Sequence, residues 1–103
     1  MSCLFCSDNL LGAAVLENPF AYAVYDKFPK EKGHMLIIPK DHSENFFDTN
    51  LQERFGITSL LDQAKEYLDE KYKPDGYNVV LNCGKAAGQE IFHTHVHLIP
   101  RYA

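Results

Sequence analysis

Phe92-His93-Thr94-His95-Val96-His97-Leu98-Ile99-Pro100 places three histidines at every second position, three residues before the end of a 103-residue chain. Successive side chains of a β-strand point to opposite faces, so His93, His95 and His97 share one face at a spacing of roughly 7 Å. Phe92, Thr94, Val96 and Leu98 then face a core. The alternation predicts a half-buried strand with a row of imidazoles on its wet side. Three of the five histidines of the chain fall here, too many in one register for surface decoration. Neutral imidazole is the commonest metal ligand and a nucleophile near pH 7.

Just upstream, Asn82-Cys83-Gly84-Lys85-Ala86-Ala87-Gly88-Gln89-Glu90 connects this strand to another, Tyr77 to Leu81. Its small residues and two glycines would let backbone N–H groups approach an anion closely, as in phosphate-binding nests. The same stretch also reads as an ordinary hairpin loop, and it is no P-loop, since Gly-Lys-Ser/Thr is missing and a strand follows. Cys83 reads as a small buried hydrophobe. Residues 50–72 predict a long helix ended by Pro74-Asp75-Gly76. Asn50 and Glu53 have capping-box spacing, and Leu51, Phe55, Leu60, Leu61, Ala64, Tyr67 and Leu68 read as a stripe packed on a sheet. Toward the N-terminus, His34-Met35-Leu36-Ile37-Ile38 is apolar enough for a central strand stopped by Pro39. Ala13 to Glu17 and Phe20 to Tyr25 read as two short strands hinged at Asn18-Pro19, 26–33 as a polar connection, and Ser43 to Phe47 as one helical turn.

The length predicts a single small domain, 1–103, and a size that favours oligomers. A net charge of -4 gives no basic field for a nucleic-acid backbone, although a local site for a small anion is compatible with it. The first residues lack the basic start and apolar run of a secretory signal, and no apolar stretch approaches membrane-spanning length, so a cytoplasmic protein without a membrane partner is expected. Three cysteines in a reducing compartment argue against a disulfide framework. Cys3-x-x-Cys6 has the spacing of half a tetrahedral zinc site, which needs two further ligands; two thiols near a terminus are the plainer reading.

Taken together, Asn82-x-Gly84-x-x-Ala87-Gly88-Gln89-x-Ile91-x-His93-x-His95-x-His97, Gly33-His34-x-Leu36-Ile37-Ile38-Pro39-Lys40-x-His42 and Tyr25-Asp26 resemble the histidine-triad (HIT) superfamily, in particular its bacterial-type nucleotide-binding branch. The resemblance implies an α+β fold: a five-stranded, mainly antiparallel sheet with one long helix and a short one. It also implies a homodimer that joins two sheets through the long helix and the fourth strand. It implies cleavage of nucleoside phosphoramidates or adenylyl conjugates at the α-phosphate, with AMP or an AMP conjugate as ligand. His95 would be the nucleophile that forms a nucleotidyl-histidine. His97, carrying positive charge, would contact the phosphate and help protonate the leaving group. His34 would orient the triad through His93. Backbone donors at Gly88, Gln89 and Glu90, with the Asn82 side chain, would hold the phosphate, Asp26 the ribose, and Phe5 part of the base slot. Cys3, Cys6, His42 and His93 would hold a structural zinc ion.

Some residues depart from the family pattern. Thr94 stands at a usually apolar position, Glu90 where Ser or Thr is common, and Lys27 where an apolar residue often lines the base or ribose. A carboxylate at 90 would repel phosphate unless it points elsewhere or meets an amine on the substrate. Many members also continue beyond the segment matching Ile99-Pro100-Arg101-Tyr102, which implies either a more open pocket here or a tail that is not required. Rival expectations are a dinucleoside polyphosphate hydrolase, a slow-turnover nucleotide-binding regulatory protein, and a metalloenzyme with the metal on His93, His95 and His97.

Overall fold

The computed structural model describes Phe5, Cys6 and residues 13–103; Cys3 lies outside them. Five strands form one sheet: β1 (Leu16–Glu17), β2 (Ala21–Tyr25), β3 (Met35–Pro39), β4 (Gly76–Val80) and β5 (Val96–Arg101). Their order is β1-β2-β3-β5-β4 with every neighbouring pair antiparallel. One long helix, α1 (Leu51–Tyr72), covers one face, and short 3₁₀ turns occur at Phe46–Asp48 and Lys85–Ala87. The expected α+β architecture is therefore found. Among the described residues no helix is long and apolar enough to cross a membrane.

The central strand is apolar throughout because both its faces are covered. Met35 and Ile37 pack with Ala21, Ala23, Val96 and Leu98 against Ile57, Leu60, Ala64 and Leu68 of α1. Leu36 and Ile38 point the other way, into a second cluster with Phe5, Tyr22 and Val24. Each fully buried aliphatic side chain contributes roughly 1.5–3 kcal/mol, so both layers hold β3 in register.

The capping box of α1 is as its sequence implies: the Asn50 side chain accepts the Glu53 N–H at 2.8 Å and Glu53 accepts the Asn50 N–H at 2.9 Å. The apolar stripe needs correction, since Leu51 and Phe55 are 80% and 68% exposed. At 100° per residue they lie about 100–180° around the helix from the ridge Leu60, Ala64 and Leu68, and Gly56 and Ile57 take the inward places instead. Gly56 lets the β1–β2 turn touch the helix: its carbonyl accepts from Asn18 Nδ2 at 2.9 Å, and a Cβ there would lie 2.5 Å from the Phe20 Cβ. Gly56→Ala should therefore destabilise the protein by about 1–3 kcal/mol, although alanine is the better helix former. A chemical-denaturation midpoint checks the sign.

The histidine strand is shorter than its alternation suggests. β5 begins at Val96, Phe92 is 42% exposed, and His93 and His95 are buried at 0% and 8% exposure. The imidazoles thus turn inward while the expected core phenylalanine turns out. The cause is a second set of partners along 39–43. The Thr94 N–H donates to the Ser43 carbonyl at 2.8 Å, the Thr94 and Ser43 hydroxyls lie 2.7 Å apart, and the His93 Nε2–H donates to the Pro39 carbonyl at 2.8 Å. The hydroxyl pair also accounts for a buried threonine, which would otherwise leave a polar group unpaired. At the other edge, pairing in the expected strand 13–17 is confined to Leu16 and Glu17, and β4 is shifted one residue toward the N-terminus.

Candidate functional site

On the sheet face opposite α1 lies a cavity of about 300 Å³ lined by Phe5, Asp26, Leu36, Asn82, His95 and His97, among others. The register places it. Leu36 pairs with His97 and Val80 with His97, so the β4–β5 connection leaves at the Pro39 end of β3. The β2–β3 connection, with Asp26 and His34, lies at the other end. His95 and His97 stand between the two loops.

Hydrogen-bond partners assign each imidazole its tautomer, because a carbonyl can only accept and a backbone N–H can only donate. The His95 Nδ1–H donates to the His93 carbonyl at 2.7 Å, which leaves the lone pair on Nε2. The Lys30 N–H donates to His34 Nδ1 at 3.1 Å, so His34 carries its proton on Nε2 and donates it to His97 Nδ1 at 3.0 Å. His97 therefore keeps its own proton on Nε2. His93 donates from Nε2 to Pro39 and turns its Nδ1 lone pair toward Cys6. One ring thus offers a lone pair and its neighbour an N–H, with ring centroids 5.1 Å apart.

Two expectations change at this point. His34 contacts His97, not His93. The positive charge expected on His97 is opposed in the ligand-free chain, since burial, with help from the His95 and His34 rings, pushes its pKa down to about 4 against the opposing pull of Asp26. His34 is lowered as well, by burial first, with Asp26 opposing. The Asp26 carboxylate accepts the Phe28 N–H at 2.9 Å and lies 3.4 Å from His34 Nε2, leaving lone pairs at the cavity wall.

The loop after β4 is pinned by its own groups. The Gly88 N–H donates to the Lys85 carbonyl and the Gln89 N–H to the Gly84 carbonyl, so two of the three expected backbone phosphate donors are engaged internally. The Gln89 side chain is buried. It accepts the Gly84 N–H at 2.8 Å and donates to the Glu44 and Ile91 carbonyls. Gly88 has φ 94°, in the left-handed region that favours glycine, with the Asn82 amide 3.8 Å from where a Cβ would sit. Asn82, Gly88 and Glu90 line the cavity.

Of the expected metal ligands, Cys6, His42 and His93 converge: Cys6 Sγ is 3.5 Å from His42 Nδ1 and 3.7 Å from His93 Nδ1. Tetrahedral zinc, with Zn–S near 2.3 Å and Zn–N near 2.05 Å, requires an S···N separation of about 3.5 Å. The spacing fits zinc, and the His93 tautomer presents a lone pair to it. Asp26, His34 and His97 are also close together, but a metal on His34 Nε2 would force its proton onto Nδ1, against the Lys30 N–H. His93, His95 and His97 form no such group among the described residues, and Nδ1 of His93 faces away toward Cys6. Phe5 packs edge-on to His95 and His93, with ring centroids at 5.0 and 6.4 Å.

Phe28 and Lys30 also line the cavity. The polar connection after Asp26 carries no periodicity that marks them; nearness in sequence to Asp26 is the available signal.

The adenosine 5′-monophosphoramidase HNT1 of Saccharomyces cerevisiae is 38% identical over 97% of this chain and 63% of its own length. A HIT family protein from Bacillus anthracis superposes with a TM-score of 0.91 at 34% identity, covering 99% of this chain and 74% of that one. A zinc-bound histidine triad family protein from Mycobacterium smegmatis gives a TM-score of 0.86 at 34% identity, over 98% of this chain and 76% of that one. A model of the HIT domain matches residues 9–103, so nearly the whole chain is accounted for, and the protein belongs to the HIT domain family.

Proposed function

We propose that the protein hydrolyses nucleoside phosphoramidates or related adenylyl conjugates through a nucleotidyl-histidine on His95. The observation that carries this is the His95 Nδ1–H bond to the His93 carbonyl, which fixes a lone pair on Nε2 in the cavity wall. Nε2 attacks the α-phosphorus as the P–N bond breaks, and the amine departs with one added proton. Water then cleaves the P–N bond to His95, releasing the nucleoside monophosphate and restoring the ring. Splitting one hard displacement into two lowers each barrier. His97 Nε2–H is the donor to the phosphoryl group. An anionic phosphate beside it raises its affinity for a further proton on Nδ1, the His34 Nε2–H turning to Asp26 3.4 Å away, and the leaving nitrogen takes the proton on Nε2. The Glu90 N–H and the Asn82 amide are the remaining loop donors.

Asp26 accepts from the ribose hydroxyls, and Phe5, Leu36 and Ile91 flank the base. HNT1 supports AMP as the nucleotide. Zinc on Cys3, Cys6, His42 and His93 is structural in this reading, and the zinc-bound neighbour supports it. The exposed Val79 and Val80 on edge strand β4 support a homodimer through that strand and α1.

Intact-mass measurement after rapid, acid-free quenching with an adenosine phosphoramidate tests the reading. A transient AMP adduct on the native chain, lost in His95→Ala, is expected. Nucleotide binding with neither adduct nor AMP release overturns it in favour of a binding protein.

A further inference from the structure

We infer that Glu90 selects among the substrates of the proposed reaction, favouring phosphoramidates whose departing amine carries a second, positively charged group. This rests on the hydrolase reading above. Glu90 is exposed and lines the same cavity as His95 and His97. No ion pair engages its carboxylate among the described residues.

The cavity has two ends, and their charges differ. At the β2–β3 end the lining holds charges of both signs, Asp26 and Lys30, and the Lys30 charge is felt by both His34 and His97. At the β4–β5 end the lining residues are Asn82, Gly88, Glu90 and Ile91, with no cation among them. With the ribose at Asp26, the base between Phe5, Leu36 and Ile91, and the phosphorus at His95, Glu90 is the acidic lining residue left for the remaining substituent of the phosphorus.

A carboxylate beside a phosphoryl anion repels it, so with a neutral leaving group Glu90 opposes binding. An ammonium on the leaving group cancels that repulsion and adds an attraction. The chemical step is unaltered: the P–N bond breaks, the departing nitrogen gains one proton, and the distal ammonium stays paired with Glu90 until the amine leaves. The nucleoside monophosphate then faces an uncompensated carboxylate, which favours its release. One residue thus biases both entry and exit.

The test compares kcat/KM for two adenosine 5′-phosphoramidates of equal length, one ending in a primary ammonium and the other in a methyl group. Both are assayed with the native chain, Glu90→Gln and Glu90→Lys. The native chain should prefer the cationic substrate about three- to tenfold, as a partly exposed ion pair allows. Glu90→Gln should erase the preference, Glu90→Lys reverse it, and added salt shrink it. Because the ratio is read within each variant, loss of folded protein cancels. An identical ratio in all three proteins, with turnover of the neutral substrate retained, overturns the role of Glu90 and leaves the hydrolase reading standing. No turnover of either substrate by the native chain removes that reading, and this inference with it.

Discussion

His95→Ala should lose at least about 10⁴-fold in kcat on an adenosine phosphoramidate while nucleotide affinity changes by no more than about threefold. The split follows from where the ring sits. Its Nδ1–H is committed to the His93 carbonyl at 2.7 Å, so it serves as an oriented nucleophile. The groups assigned to holding the nucleotide are Asp26, Phe5 and the loop from Asn82. Alanine removes the attacking lone pair and leaves those in place. Single-turnover kinetics with an equilibrium binding titration separates the two quantities. Residual turnover above about one part in a hundred would mean that water attacks phosphorus directly and that His95 only positions the substrate.

The second large effect concerns the metal. In Cys6→Ser combined with His42→Ala, bound zinc should fall from one per chain to none by elemental analysis. The melting temperature should fall by about 15–30 °C. A metal present at about 10³ times its dissociation constant stabilises the folded state by about 4 kcal/mol, and each kcal/mol shifts the midpoint of a domain this size by about 4–8 °C. The variant should still fold, because the layer between α1 and the sheet is built without the metal ligands. Its kcat should also fall, since freeing His93 loosens the carbonyl that fixes His95. Unchanged zinc content would place the metal elsewhere, and a full loss of kcat with an unaltered melting temperature would argue that the metal takes part in the chemistry.

Much of this was legible in the residues, and the misreadings have local causes. The capping box at Asn50 and Glu53 depends on neighbours in sequence and is legible there. The stripe on the same helix is not, because Leu51 and Phe55 are apolar but lie on the far side of it from Leu60. The alternation in 92–98 predicts which histidines share a face, yet it cannot show that Pro39 and Ser43, more than fifty residues upstream, draw His93 and Thr94 off the sheet. The same bonds settle which nitrogen of His93 faces Cys6, so metal competence was visible as a residue list and its geometry was not. The partner of His34 depends on the pairing of Leu36 with His97, a tertiary register that no local pattern carries.

The two ends of the sheet are unequal. Among the described residues β1 contributes Leu16 and Glu17, whereas β4 presents five residues with Val79 and Val80 exposed. A sheet that can grow from both ends is a template for fibres. Among the described residues the longer edge is that of β4. If β4 pairs with β4 of a second copy across a two-fold axis, the extendable edge of each is consumed by the other, and what remains outward is the stub of β1 on either side. Pairing of that kind uses up the longer edge of each copy and leaves a third copy only the shorter one among the described residues.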